Sequence, residues 1–324
     1  MKKVRVAING FGRIGRAFYK IASKRPEIEI VAVNDLGSKD NLEYLLKHDS
    51  VYGTWDGAFD VKFLQEKEPA KLPWKDLDID VVVESTGFFT TFEKAKVHLD
   101  AGAKRVVITA PTRDDAAATV LMGVNDEKLS SCQVSSNASC TTNAASPLIA
   151  ILDEALGIEK AVLNTAHGYT ASQSLVDGPS RKGMREGRAA AINIVPSSTG
   201  AAIAVTKAFT KLDGLFDGIS MRVPVAAGSL VDVTFIAKRN TSAEEVNGIL
   251  KKAAEDKRWQ GIFAVTEEEL VSSDILGSPY GSIADLTLTR VVGGNLVKVL
   301  AWYDNEMGYA YTLTDHVIKA GSHI

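Results

Sequence analysis

Cys140 stands in the run Ser136-Asn137-Ala138-Ser139-Cys140-Thr141-Thr142-Asn143, and an apolar, periodic segment follows from Ala144 to Leu156. This pattern predicts a thiol at the front of a helix. Unpaired backbone N–H groups and the positive end of the helix dipole there favour the thiolate, the reactive form of cysteine. The same groups suit an anion. One segment can therefore combine a nucleophile with an oxyanion or phosphate site; a buried cysteine beside a polar loop is the plainer alternative. His167, in His167-Gly168-Tyr169-Thr170, ends a predicted strand. An imidazole so placed can draw a proton from a thiol and return it to a reacting oxygen. The chain has five histidines, and only His167 falls at a strand end opposite the cysteine helix.

A second constellation lies near the N-terminus. Gly10, Gly12 and Gly15 form G-x-G-x-x-G between the apolar run Val4–Ile8 and a helical pattern over Arg16–Ser23. Asp35 closes the next apolar run, Glu29–Asp35. The glycines permit a tight turn, close approach of a pyrophosphate and helix packing, and a carboxylate at that strand end accepts from ribose hydroxyls. It repels a 2′-phosphate, so the pattern predicts NAD in preference to NADP.

Basic residues near small and hydroxylated runs are candidate anion contacts: Arg185, Arg188 and Arg222. Ser197-Ser198-Thr199-Gly200 precedes an apolar run and predicts a helix N-terminus able to take an anion. Arg222 lies in an otherwise apolar strand and requires a partner, either a phosphate or a buried carboxylate. Cys132 reads as a structural thiol.

These residues need a scaffold, and the pattern supplies one. Apolar strands over Val4–Ile8, Glu29–Asp35, Asp80–Gly87 and Arg105–Thr109 alternate with helical segments over Arg16–Ser23, Asn41–Lys47 and Phe92–Ala101. That alternation predicts an α/β fold with a doubly wound parallel sheet of the Rossmann type. After Cys140 the pattern changes. Strands over Ala161–Ala166, Val231–Ile236, Leu286–Thr289 and Leu296–Trp302, with a helix capped at Thr241–Glu245, predict an α+β catalytic domain with a mixed or antiparallel sheet. Gly168–Arg188 shows no period and reads as a functional loop. Tyr309–Ala320 is a closing helix.

The chain has 324 residues, 45% hydrophobic and 24% charged, with 37 Lys+Arg against 40 Asp+Glu. It is long enough for about two domains, and the near balance of charge gives no bulk drive toward nucleic acid or an anionic membrane. No apolar stretch has the length of a membrane span, and the N-terminal apolar run is shorter than a signal peptide requires. Two cysteines make no disulfide framework, which points to a reducing cytoplasm. No metal-ligand pattern is present.

Taken together, these segments resemble the phosphorylating, NAD-dependent glyceraldehyde-3-phosphate dehydrogenases of glycolysis, from end to end. The resemblance is carried by Asn9–Arg16, Glu84–Gly87, Ser136–Asn143, His167–Thr170, Arg188–Ala202, Arg222–Pro224 and Trp302–Glu306. It implies an NAD-binding domain over 1–139, with the closing helix 306–324 packing back on it, and a catalytic domain over 140–305. It implies that Cys140 attacks the aldehyde, that His167 lowers the thiol pKa and takes the hydroxyl proton, and that inorganic phosphate releases a 1,3-bisphosphoglycerate from a thioester. Arg13, Ile14, Lys67, Thr109 and Asn305 join Gly10, Gly12, Gly15 and Asp35 as implied NAD contacts. Ser139, Thr141, Thr199 and Gly200 would hold the attacking phosphate, and Thr170 and Arg222 the substrate's own, with Arg188 a further anion contact. A cytoplasmic homotetramer is implied, with the 168–188 loop lining a neighbouring subunit's NAD site.

The sequence departs from the family pattern in places. Ser172 replaces a frequent Asp, Ile203 a frequent Lys, Ala144 a frequent second cysteine, and Met307 an aromatic. Leu36 and Pro179 stand where NAD-preferring members often have Leu and Pro. Ser172 and Ile203 keep open an erythrose-4-phosphate dehydrogenase. The other alternative is a non-catalytic NAD- or RNA-binding relative, which would have no use for both Cys140 and His167.

Overall fold

Two compact units make up the chain, Met1–Ser139 with Ala310–Ile324, and Cys140–Tyr309. The structure, a computed structural model, describes residues 2–112, 114–180 and 183–324. The first unit begins with β1 (Val4–Asn9), α1 (Arg13–Ala22), β2 (Ile28–Asn34), α2 (Lys39–Lys47), β3 (Lys62–Leu64) and β4 (Val81–Glu84). It continues with α3 (Phe92–Ala95), α4 (Val97–Asp100), β5 (Arg105–Ile108), β6 (Ala118–Thr119) and β7 (Val134–Ser136).

These seven strands form one sheet in the order β3-β2-β1-β4-β5-β7-β6, with every pairing in it parallel, while His48–Asp49 and Gly53–Thr54 make a separate short antiparallel pair. Val81–Val83 and Val106–Ile108 are fully buried, as β-branched strands covered on both faces must be. Trp74, Ile79 and Val82 pack with Ala7 and Ala32 in one core cluster. Burying an aliphatic chain such as Ile79 contributes about 1.5–3 kcal/mol. From β1 the chain runs outward to β2 and β3, then crosses to β4 on the other side. A crevice therefore opens beyond the carboxyl ends of β1 and β4, the position at which such sheets bind ligands. The parallel sheet is as the sequence predicts. One expected helix differs: Phe92–Ala101 is two short helices, broken at Lys96.

The second unit holds α5 (Cys140–Leu156), β8 (Ile158–Gly168), β9 (Val195–Ser198), α6 (Ala201–Ala208), β10 (Phe216–Val223) and β11 (Ser229–Ala237). Then follow α7 (Ala243–Ala254), β12 (Phe263–Thr266), β13 (Ser282–Asp285), β14 (Arg290–Val292) and β15 (Leu296–Tyr303). α8 (Met307–Ser322) closes the chain, and its residues from Ala310 onward belong to the first unit. The described strands pair in the order β9-β10-β8-β11-β15-β13-β12, with β14 on β15. β8–β10 and β12–β13 are parallel and the other pairings antiparallel, so the sheet is mixed. Burial alternates residue by residue along β11, the mark of a sheet covered on one face.

Ser242 caps α7 by accepting from the Glu245 N–H at 3.2 Å. The strand expected over Leu286–Thr289 is instead a tight 3₁₀ turn, Leu286–Leu288. Asp285 Oδ1 accepts from both the backbone N–H and the hydroxyl of Thr287, a local turn that outcompetes the strand ladder. Gly168–Arg188 is largely irregular, ending in the short turn Arg185–Gly187; positions 181 and 182 lie outside the described residues.

Candidate active site

In the first unit, a cavity of about 600 Å³ lies at the carboxyl ends of the parallel strands, lined by Gly10, Gly12, Asp35, Lys67 and Thr86 among others. The glycines there have distinct geometric reasons. Gly10 has φ +96°, and a Cβ on it would stand 2.7 Å from backbone atoms of Ser85 and Thr86. A Cβ on Gly15 would stand 2.2 Å from the Gly10 carbonyl oxygen. Gly12 has nothing within 4 Å of its Cβ position, and it precedes α1 with no side-chain cap. The turn is thus tight on its inner side and open at the helix N-terminus, the cradle a pyrophosphate needs. Asp35 accepts from the N–H of Phe11 at 2.6 Å and of Gly37 at 2.8 Å, one bond to each carboxylate oxygen. Each oxygen keeps a lone pair for a ribose hydroxyl. These residues fit a dinucleotide. Arg13 begins α1 and pairs with Asp49 at 3.0 Å, with Ile14 beside it. Thr109 follows β5, its N–H donating to Glu84 O at 3.0 Å.

Beneath this cavity lies a network that sequence reasoning did not find. Glu84 Oε2 accepts from Asn9 Nδ2 at 2.6 Å and from His98 Nε2 at 3.0 Å, while Oε1 accepts from the N–H and hydroxyl of Thr86. Trp74 Nε1 donates to His98 Nδ1 at 3.0 Å, which leaves the ring proton on Nε2 for Glu84. The participants are scattered over four segments of the sequence, and no periodicity links them.

In the second unit, Cys140 is the first residue of α5, and its Sγ lies 3.3 Å from His167 Nε2. β8 and β10 pair in parallel with His167 opposite Arg222. That register places the Arg222 guanidinium 2.6 Å from His167 Nδ1. Cys140, His167 and Arg222 are therefore one cluster. Tyr303, missed in the sequence reading, closes its floor: its hydroxyl bonds Thr141 Oγ1 at 2.9 Å and Thr165 Oγ1 at 2.8 Å, and its ring stands edge-on to His167.

The helix-front position predicts a depressed thiol pKa, but the structure gives the opposite direction. Burial pushes the Cys140 thiol up, more than the Arg222 charge and the Thr141 N–H pull it down. Burial, then Arg222, pushes His167 down to about 3. Desolvation favours the neutral form of each group.

The remaining candidates have their own local partners. Thr170 Oγ1 bonds Ser172 Oγ at 3.0 Å, so the departure at Ser172 falls directly on an expected phosphate contact. Thr199 Oγ1 accepts from the Ala201 N–H at 3.1 Å, and Gly200 sits at the N-terminus of α6, as the sequence predicts. The Thr141 hydroxyl is buried and already bonded to Tyr303. Asn305 Oδ1 accepts from Ser229 Oγ at 2.9 Å. Arg188 pairs with Asp177 at 3.0 Å in an exposed contact. Ser139 immediately precedes the nucleophile.

A Rossmann unit with a glycine cradle, joined to a mixed-sheet unit bearing a thiol–imidazole pair, is the architecture of an NAD-dependent oxidoreductase. Comparison with known proteins narrows the class. Residues 4–92 match the model of the glyceraldehyde 3-phosphate dehydrogenase NAD-binding domain, and residues 139–305 match the model of the C-terminal domain of the same family. Glyceraldehyde-3-phosphate dehydrogenase of Mycobacterium avium is 48% identical over 98% of both chains. The protein of that name from Clostridium pasteurianum is 46% identical over 95% of this chain and 96% of its own. Glyceraldehyde-3-phosphate dehydrogenase 1 of Candida glabrata is 45% identical over 97% and 98%. The chain belongs to the glyceraldehyde-3-phosphate dehydrogenase family.

Proposed function

We propose that this protein oxidises glyceraldehyde 3-phosphate to 1,3-bisphosphoglycerate in glycolysis and gluconeogenesis, through a thioester on Cys140. The observation that carries this reading is the 3.3 Å approach of Cys140 Sγ to His167 Nε2 at the front of α5. Sγ adds to the aldehyde carbon, and its proton passes by way of His167 to the new hydroxyl. His167 Nε2 then takes the hydroxyl proton as the carbon gives up a hydride, leaving a thioester. NAD, when bound, supplies the hydride acceptor. An oxygen of inorganic phosphate attacks the thioester carbon, and the Cys140 thiolate departs.

In this reading, residues 1–139 with 306–324 bind the cofactor and 140–305 perform the chemistry. Gly10, Gly12, Arg13, Ile14, Gly15, Asp35, Lys67, Thr109 and Asn305 hold NAD. Ser139, Thr141, Thr199 and Gly200 hold the attacking phosphate, while Thr170 and Arg222, with Arg188, meet the substrate's own. The protein works in the cytoplasm, a placement supported by two free cysteines. No described helix is long and apolar enough to cross a membrane. It works as a homotetramer, supported by the outer face of the mixed sheet, where Val162, Ile219 and Leu296 are exposed. A second copy of the chain would cover that apolar surface.

The test is NADH formation from glyceraldehyde 3-phosphate, with and without inorganic phosphate, by wild type and Cys140→Ser. The reading expects phosphate-dependent turnover and a loss of at least about a thousandfold in the variant. Wild-type turnover by Cys140→Ser would sink the covalent route.

A further inference from the structure

Ala138 is fully buried and has φ +52°. Asp78 is the other described non-glycine residue with positive φ. Asp enters the left-handed region with the help of its own side chain, and alanine has no such help. Glycine is the usual residue for such a turn. Backbone held in this region against its preference marks a functional constraint. Here it lies two residues before Cys140, in the three-residue connection between β7 and α5.

The turn is held from both sides of the strand that leads into it. The Asn137 N–H donates to Ile108 O at 3.0 Å, so the ladder between β5 and β7 runs one residue past the end of β7. On one face, Ser136 Oγ donates to Ala110 O at 2.6 Å and accepts from the Ala138 N–H at 3.0 Å. Residues two apart in a strand share a face, and on the other face Ser135 and Asn137 both meet His316 of α8. Asn137 Oδ1 can only accept, so His316 Nδ1 carries the ring proton and donates to it at 3.1 Å. The bare Nε2 then accepts from Ser135 Oγ at 2.8 Å. The ring is fully buried, and burial pushes its pKa down to about 3, so it is neutral with one donor and one acceptor. Ser135 fixes the ring against the sheet, and the ring passes that constraint to Asn137.

We propose that His316 is a positioning residue for the nucleophile: anchored on Ser135, it holds Asn137 and so keeps Ala138 in the left-handed conformation from which the chain enters α5. The proposal rests on the reading above, in which Cys140 attacks the substrate. The N–H groups of a first helical turn have no helical partners, so the chain entering the helix fixes that turn. Cys140 is the first residue of α5 and depends on that entry. What is at stake is the 3.3 Å approach of Cys140 Sγ to His167 Nε2. Misplacing a reacting atom by about 1 Å costs about a hundredfold in rate, even when the cause is remote. Without the His316 bond, Ala138 is free to leave the left-handed region, and the direction in which Cys140 leaves the turn changes with it.

The experiment compares the whole chain as wild type, His316→Leu, Ala138→Gly and the two substitutions together, each below its own melting transition. His316→Leu should lose at least about tenfold in kcat for oxidation of glyceraldehyde 3-phosphate while KM for NAD stays within about threefold, because a reacting atom is misplaced and no cofactor contact is touched. Alkylation by iodoacetamide, followed on the peptide containing Cys140, should slow by a similar factor, since a thiol moved from the helix front loses what favours its reactive form. Glycine takes the left-handed conformation without help, so Ala138→Gly alone should stay near wild type. Added to His316→Leu, it should restore both rates to within about threefold of wild type. Wild-type kcat in His316→Leu, alkylation of that variant at the wild-type rate or faster, or a double variant as slow as His316→Leu overturns the proposal. The last result would mean that the histidine only packs α8 on the sheet. Should His316→Leu not fold, Asn137→Ala removes the acceptor, leaves the ring in the helix and is carried through the same comparison with the same deciding outcomes. Absence of glyceraldehyde 3-phosphate oxidation by the wild type removes the broader reading, and the alkylation rates then decide the role of the turn by themselves.

Discussion

Gly10 and Gly12 stand two residues apart in the same turn, yet replacing each by alanine should do different things. At Gly10, a methyl group meets backbone atoms of Ser85 and Thr86 at 2.7 Å, and φ is +96°. Ordinary contact begins near 3.4 Å, so either the β1 turn or the end of β4 must move. Backbone strain at positive φ costs about 1–2 kcal/mol, and overpacking adds about 1–3 kcal/mol. Gly10→Ala should therefore destabilise the first unit by about 2–5 kcal/mol, or about 5–15 °C in its melting transition. At Gly12 the methyl group meets no atom within 4 Å, and φ is −70°. Its fold cost is that of alanine at a helix N-cap, about 1 kcal/mol or less. The methyl would, however, occupy the space a pyrophosphate approaches, so the dissociation constant for NAD should rise at least tenfold, about 1.4 kcal/mol. Scanning calorimetry reads the first quantity and titration of NADH fluorescence the second. Wild-type NAD affinity in Gly12→Ala, or a wild-type melting transition in Gly10→Ala, would refute the assignment of the turn's inner and open sides.

The other predictions concern buried histidines and the base. His98→Leu removes a donor to Glu84 and strands the Trp74 indole N–H, so it should lower the stability of the first unit by about 3–5 kcal/mol; an unchanged calorimetric transition contradicts the network. His316 donates through Nδ1 to Asn137 Oδ1 at 3.1 Å and bonds Ser135 Oγ at 2.8 Å, and burial lowers its pKa from 6.5 to about 3. Its folded pKa lies below its unfolded one, so its contribution is intact above pH 6.5 and lost as pH falls toward 3. The loss should reach about 2 kcal/mol at pH 5. His316→Gln should flatten that acid slope in melting experiments, and an unaltered slope would place the acid sensitivity elsewhere. His167→Gln should cut kcat by about 10²–10⁴ while leaving NAD affinity intact; a weakened NAD affinity of similar size would mean the imidazole is structural.

How much of this was legible in the sequence follows from which interactions are local. The β1 turn, α1 and Asp35 are written in one stretch of residues, because glycine spacing and strand burial are short-range constraints. The thiol at the front of α5 was legible for the same reason. Its pKa direction was not, because burial comes from tertiary packing. The Arg222–His167 contact depends on the register of β8 and β10, two strands separated by β9 and α6 in the chain. The Glu84–His98–Trp74 network and the Tyr303 floor are likewise products of topology. Leu286–Thr289 failed for a local reason: Asp285 and Thr287 bond within the turn, and this side-chain chemistry overrides an apolar pattern.

The central claim is that Cys140 carries the acyl group between oxidation and phosphate transfer. The direct measurement is mass spectrometry of protein mixed with glyceraldehyde 3-phosphate and NAD in phosphate-free buffer, quenched in acid and digested. The account predicts a phosphoglyceroyl adduct on the peptide containing Cys140, lost within the turnover time when inorganic phosphate is added. NADH formation at full rate with no adduct on Cys140, or with the adduct on Cys132, would contradict it.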